Sequence, residues 1–279
     1  MVKLSNSISK LIVTVMVVVT VFVSCFPLFW MLSSSLKPYD EALSIPPKLL
    51  PEKPTFGNFV ELFELTNFAT YFWNSTLVAV GATVLAVTLS VMSGYALSRS
   101  ETWFSRWFGR LVLFTYIFPP ILMLIPLYML ITNIGLADSR LGLTLTYVTF
   151  TLPFTIWLIK SFFDVVPKTY EEAALVDGAT SFQIYWKVIL PMARPGIIST
   201  AIFAFIEAWN EYLFAVVFIS TDAKKNLAAG VSSLLGQTAI YSWGMLMAAA
   251  AVITIPLLIV FPFLQRHLIA GFGEGGIKG

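Results

Sequence analysis

Glu207, Asn210 and Glu211 stand at i, i+3 and i+4 within Pro195 to Thr221, a stretch that is otherwise apolar. In a continuous helix that spacing places all three on one face, with Trp209 off it. Two carboxylates and an amide in apolar surroundings have three uses: carrying protons, hydrogen bonding a hydroxylated ligand, or bracing neighbouring helices. Elsewhere, chemistry-bearing residues are scarce. One cysteine, Cys25, and one histidine, His267, exclude an internal disulfide and the usual Cys/His zinc cluster. The sequence has no Gly-x4-Gly-Lys-[Ser/Thr] phosphate loop, no His-Glu-x-x-His and no Gly-x-Ser-x-Gly. It therefore carries no sign of nucleotide hydrolysis, a zinc protease or an esterase.

The elements that must position these residues follow from composition. Of 279 residues, 58% are hydrophobic and 11% charged, against about 45–50% and about 25% in soluble domains. A net charge of +2 with no basic tract excludes nucleic acid as a main ligand. Charge-free runs then measure the chain, because a charge at the bilayer centre costs about 2.5–3.5 kcal/mol. There are 26 uncharged residues between Lys10 and Lys37, 34 between Glu64 and Arg99, 27 between Arg110 and Asp138, and 19 between Arg140 and Lys160. The glutamate-bearing stretch and the 40 uncharged residues from Asn226 to Gln265 complete six expected spans, each needing about 20 residues. Within the last run, Asn226–Trp243 is rich in Gly and Ser and reads as re-entrant or surface chain, leaving Gly244–Leu264 as the sixth helix.

The glutamate span is a close balance. Its twelve large apolar residues favour insertion by roughly 4–7 kcal/mol in all, while two buried acids oppose it by about 5–7. The Glu207–Glu211 face must therefore meet protein or water rather than lipid. On the same scale the first span ends near Pro27 and Trp30, and the five prolines from Pro38 to Pro54 exclude a helix until the amphipathic stretch around Phe56 to Leu65. Basic residues number eleven on the side shared by both termini and six on the other, which predicts cytoplasmic termini.

The segment Asp164 to Arg194 is a polar interlude with strong local signals. Thr169 three residues before Glu172 reads as a capping box, Gly178 as the residue that stops the helix, and Thr180 with Gln183 as a second helix start, running to Leu190-Pro191. Two such short helices are not stable alone. The small Ala173, Ala174 and Gly178 suit close approach by another backbone, as in a docking element.

Glu172-Ala173-Ala174, three residues, Gly178, nine residues and Val188-Ile189-Leu190-Pro191 resemble the EAA loop of membrane subunits of binding-protein-dependent ABC importers, with Val188 in place of the usual Ile. Trp209-Asn210-Glu211-Tyr212, Ile125-Pro126-Leu127-Tyr128, Asn74-Ser75, Ser93 to Arg99 and the tail Gly271 to Gly279 resemble the carbohydrate branch, in its six-helix MalG-type subunit. The resemblance implies an all-α membrane protein with six transmembrane helices, the type I permease fold of ABC importers, multi-pass in a bacterial or archaeal cell membrane. It implies a cytoplasmic N-terminus (1–10), a permease domain (11–265) with an EAA coupling loop (164–195) and a third outer loop (222–241), and a cytoplasmic tail (266–279).

For function, the resemblance implies a subunit of an ATP-driven carbohydrate importer, not itself an enzyme. Its partners would be a second permease subunit, two ATP-binding cassette subunits that hold ATP and Mg, and an extracytoplasmic sugar-binding protein, with lipid around the spans. Glu172, Ala173, Ala174, Gly178, Leu190 and Pro191 would couple to the ATPase. Glu207, Trp209, Asn210 and Glu211 would line the pathway or the subunit interface, and Gln237 and Tyr241 would meet the binding protein. No cofactor or metal is expected in this chain. The alternative from the residues alone is a proton-coupled secondary transporter that uses Glu207 or Glu211.

Overall fold

In hydrocarbon only a helix satisfies every backbone hydrogen bond within one segment, so long charge-free runs fold as helices. The computed structural model describes the backbone of residues 2–235 and 243–273, and the side chains of 9–234 and 243–262. Among these residues no strand occurs. In chain order the helices are α1 (Val2–Ser35), α2 (Tyr39–Ala42), α3 (Gly57–Leu65), α4 (Phe68–Arg99), α5 (Trp103–Ile117), α6 (Leu124–Asn133) and α7 (Arg140–Val165). They continue with α8 (Thr169–Val176), α9 (Ser181–Ile184), α10 (Leu190–Met192), α11 (Arg194–Asn210), α12 (Leu213–Phe218), α13 (Leu227–Leu235) and α14 (Trp243–Gly273).

Four segments are long and apolar enough to cross a membrane: Ser9–Ser35, Phe68–Arg99, Arg140–Val165 and Trp243–Pro262. Two bent pairs give up to six if each is taken as one span by length and composition: Trp103–Ile117 with Pro120–Asn133, turning 96°, and Ser181–Met192 with Arg194–Asn210, turning 71°. The second pair takes in chain expected as loop, and differs from the expected Pro195–Thr221. The third expected span is thus not one helix. Pro119 and Pro120 lack an N–H and force the residue ahead of each out of the helical region, and Phe118 (ψ 126°) and Pro119 (ψ 124°) are extended.

Other expectations need correction. Pro27 does not end α1, which runs eight residues further to Ser35; a proline is tolerated in an apolar helix whose remaining bonds are shielded from water. The proline-rich segment contains one helical turn, α2, starting after Pro38. The last helix runs to Gly273, past the expected Leu264.

The chain divides into two compact units, Met1–Phe68 with Ser233–Ile255, and Ala69–Ser232 with Pro256–Gly279. In the first, the Asn58 amide donates to the carbonyls of Ser35 and Lys37 (both 2.8 Å), satisfying backbone acceptors where α1 ends. In the second, α4 lies against α7 at Gly94, where an added Cβ would meet Ile159 Cγ2 at 2.9 Å and the Lys160 amide nitrogen at 3.0 Å. The Ser90 and Thr155 hydroxyls bond across the same pair of helices at 2.7 Å. A core of Val91, Ile159, Phe163, Val166, Ile184, Ile189 and Ala193 joins α4 and α7 to the α9–α10 segment.

Candidate functional site

The segment from Thr169 to Met192 folds as a hydrogen-bonded helical corner. Gly178 adopts φ +81°, the left-handed conformation that glycine enters without strain. Its amide bonds the Leu175 carbonyl and the Ala179 amide bonds the Ala174 carbonyl, both at 3.0 Å, which closes α8 in a Schellman motif. At the second start the capping box is complete. The Thr180 hydroxyl accepts from the Gln183 amide at 3.3 Å, and Gln183 Oε1 accepts from the Thr180 amide at 2.9 Å.

The first capping box does not form. Lys168 is already helical, so Thr169 lies inside the helix rather than ahead of it, and the Glu172 amide bonds the Lys168 carbonyl at 3.1 Å instead. Glu172 is left exposed, as are Ala173 and Gly178, while Ala174 is half-buried against the core. Val176 is 87% exposed, an apolar side chain displayed at the tip of the corner.

Leu190 and Pro191 serve the exit from this corner. Pro191 has no N–H to give the carbonyl four residues back, and Tyr185–Ile189 widens into a π-helical turn in which the Leu190 amide bonds the Tyr185 carbonyl. Single π turns of this kind absorb an irregularity without breaking the helix. The chain then bends into α11.

What clamps α8 is a pair of residues that the sequence did not single out. Arg99, the last residue of α4, forms an ion pair with Glu171. It also donates to the Phe163 and Val166 carbonyls at 3.0 and 3.1 Å at the end of α7, where the Phe163 carbonyl accepts from the Val166 amide as well. The Tyr95 hydroxyl reaches Glu171 Oε2 at 3.3 Å, and its ring packs on Phe163 and Tyr185. One guanidinium thereby ties together the ends of α4, α7 and the first turn of α8. Lys168 and Glu101 add a 2.6 Å pair at the exposed edge; this pairing, and the nearby Arg106, hold the Glu101 carboxyl below its usual range.

The glutamate span also differs from expectation. Helix α11 stops at Asn210, and Glu211 is extended (φ −69°, ψ 124°), so Glu211 does not share a helix face with Glu207 and Asn210. Its carboxylate instead accepts from the Phe214 and Ala215 amides at 2.9 and 3.2 Å, satisfying donors at the start of α12 that would otherwise be orphaned. Capping explains why the acid sits at the break. Glu207 and Asn210 are exposed on α11, whereas Trp209 is buried, stacks with Phe205 and meets Phe72 edge-on. Glu207 lines a cleft of about 550 Å³ with Phe114, Thr115, Tyr116 and Pro120, and a smaller pocket of about 170 Å³ with Tyr147, Thr151 and Glu211.

The opposite end of this unit is tied by residues far apart in sequence. Asn74 donates to the Ala223 and Lys225 carbonyls, and the Ser75 hydroxyl accepts from the Leu227 amide. Asp138 accepts from the Ser220 and Thr221 amides, the Thr221 hydroxyl and the Lys224 ammonium. Desolvation works to raise its pKa, but these bonds outweigh it, Thr221 foremost, and hold the carboxyl well below the usual range. Gln237 and Tyr241 lie outside the described residues.

A multi-pass helical chain with an acid-lined cleft in a broken span and an exposed helix corner is built as a transport permease. The family described as "Binding-protein-dependent transport system inner membrane component" matches residues 86–273, and the chain belongs to it. It is 38% identical over 264 residues to the inner membrane ABC transporter permease protein YcjP of Escherichia coli, covering 92% of each chain. It is 37% identical over 254 residues to the diacetylchitobiose uptake system permease protein NgcG of Streptomyces coelicolor, covering 90% of this chain and 83% of that one. A chain from the crystal structure of a bacterial ABC transporter involved in import of the acidic polysaccharide alginate superposes with a TM-score of 0.81 and 25% identity, covering 94% of this chain and 97% of that chain.

Proposed function

We propose that this chain is one transmembrane subunit of an ATP-driven, binding-protein-dependent carbohydrate importer. The sugar class rests on the diacetylchitobiose and alginate systems to which the chain is similar. A second permease subunit completes the pathway, two separate ATPase subunits hold ATP and Mg, and an extracytoplasmic binding protein delivers the sugar. Both termini face the cytoplasm, as the excess of basic residues on that side supports.

The observation that carries the reading is the Thr169–Met192 corner. Its exposed side presents Glu172, Ala173 and Gly178, and its buried side is joined to α4 and α7 by the core and by Arg99. A body held this way moves as a unit when a partner moves it. Docked in a cleft of the ATPase, Glu172 meets a basic side chain, and Ala173 and Gly178 allow close approach. Ala174 anchors the corner, and the π turn ahead of Leu190-Pro191 passes the displacement into α11. There Glu207 and Asn210 line the pathway, and Trp209 and Glu211 hold the break. Gln237 and Tyr241 contact the binding protein. Aromatic rings and amides suit sugars, which offer C–H faces and hydroxyls.

The test is uptake and ATPase association in Glu172→Lys and Gly178→Asp variants. The reading expects both to fall. Unchanged uptake and unchanged co-purification of the ATPase would remove the coupling role.

A further inference from the structure

A polar recess of about 600 Å³ opens between α4, α5 and α7, lined by Ser98, Ser100, Ser105, Arg106, Arg110, Trp157 and Lys160, with Leu97 and Leu113. No residue of the Thr169–Met192 corner or of the glutamate cleft lines it, although Glu101 on its border pairs with Lys168 just ahead of α8. Its charges do not cancel. Lys160 is paired with Asp164 at 2.6 Å, and Glu101, which also borders the recess, is paired with Lys168 at 2.6 Å. Arg106 and Arg110 form no ion pair among the described residues. They stand one helical turn apart, so the two guanidiniums share one face of α5. The start of α5, where the Thr102 hydroxyl accepts from the Ser105 amide, adds the positive end of a 15-residue helix.

We propose that this recess binds the headgroup of an anionic phospholipid. Two guanidiniums match phosphate oxygens with forked donors, and the serine hydroxyls supply further donors to a phosphodiester or a glycerol. The surroundings select a lipid over a soluble anion. Outside the recess, α5 exposes Trp103, Phe104, Trp107, Phe108 and Leu111, an aromatic-rich surface that belongs at the boundary of a bilayer. Leu97, Leu113 and the half-exposed Trp157 give acyl chains an apolar wall beside the charged floor. Basic pockets between membrane helices on the cytoplasmic side are suited to anionic headgroups. The assignment to the cytoplasmic leaflet rests on the orientation proposed above, which cysteine labelling of the tail from either side tests independently.

The experiment uses the intact transporter complex in nanodiscs. Retained lipid is measured by native mass spectrometry in phosphatidylglycerol, cardiolipin or phosphatidylcholine, and thermal stability is measured with and without millimolar inorganic phosphate. The expected result is retention of phosphatidylglycerol or cardiolipin over phosphatidylcholine by about tenfold, weakened by high salt. The Arg106→Gln/Arg110→Gln variant should lose that preference, and the Arg106→Lys/Arg110→Lys variant should keep most of it. Equal retention of all three lipids by the unmodified complex, a measurement that needs no variant to fold, overturns the proposal. So does stabilisation by inorganic phosphate equal to that by phosphatidylglycerol, because the recess would then be a site for free phosphate.

Discussion

Removing the Arg99 guanidinium should uncouple the displayed corner from the membrane helices. In Arg99→Ala the Glu171 carboxylate loses its ion pair, and the Phe163 and Val166 carbonyls lose donors at 3.0 and 3.1 Å. Breaking a fully buried charged pair costs about 3–5 kcal/mol. Here the side chains retain 14% and 17% exposure, so water offsets part of the loss, and about 2–3 kcal/mol is expected. Glu171→Gln keeps one carbonyl oxygen for Arg99, and its amide nitrogen can donate to the Tyr95 oxygen in place of accepting from it; the change should cost about 1 kcal/mol. Because the two residues touch, the double variant should cost less than the sum of the singles, with an interaction of about 1 kcal/mol. The assay pairs a double-mutant cycle on complex stability with the ratio of ATP hydrolysed to sugar transported in proteoliposomes. If the pair transmits motion, that ratio rises severalfold in Arg99→Ala while the ATPase stays bound. Additive stability effects together with an unchanged ratio would refute the reasoning.

Three further outcomes follow from local geometry. Thr180→Val should destabilise the second turn of the corner by about 1 kcal/mol, seen as faster amide exchange at Gln183, whereas Thr169→Val, whose hydroxyl caps nothing, should leave exchange in α8 unchanged. Glu211→Ala should loosen α12 and lower uptake, while Glu211→Gln, whose single carbonyl oxygen can replace only one of the two carboxylate oxygens that accept from the Phe214 and Ala215 amides, should fall between Ala and the unmodified chain; uptake by Gln equal to that of the unmodified chain would show that the two-oxygen cap is not needed. Asp138 has its carboxyl depressed in the folded state, so its stabilisation is complete above the unfolded carboxylate pKa of about 3.9 and drains away as pH falls below it. Thermal stability of the unmodified complex should accordingly drop with acid in that window more steeply than that of Asp138→Asn.

Much of this architecture was legible because hydrocarbon tolerates few alternatives. Charge-free length located the spans, and Gly178, Thr180 and Gln183 marked the corner because their effects are local to one or two helical turns. The misses share a cause. Thr169 satisfied the capping pattern, but whether it caps depends on the conformation of Lys168. Glu211 matched a helical spacing that the break at Asn210 removes, since its carboxylate is better used on the α12 amides. Pro119-Pro120 carried a local signal for the bent third span, which the length of the uncharged run obscured. Arg99 with Glu171, and Asp138 with Thr221, pair across 72 and 83 residues, and no single-sequence periodicity joins positions so far apart.

The central claim is that motion enters this permease from a separate ATPase through the Thr169–Met192 corner. The most direct measurement is sugar accumulation in proteoliposomes that hold the complete complex, with binding protein outside and ATP inside, compared with this chain reconstituted alone under a proton gradient. The account predicts ATP-dependent accumulation by the complex, abolished by Glu172→Lys with Gly178→Asp, and none by the chain alone. Proton-driven accumulation by the chain alone, lost in Glu207→Gln, would contradict it.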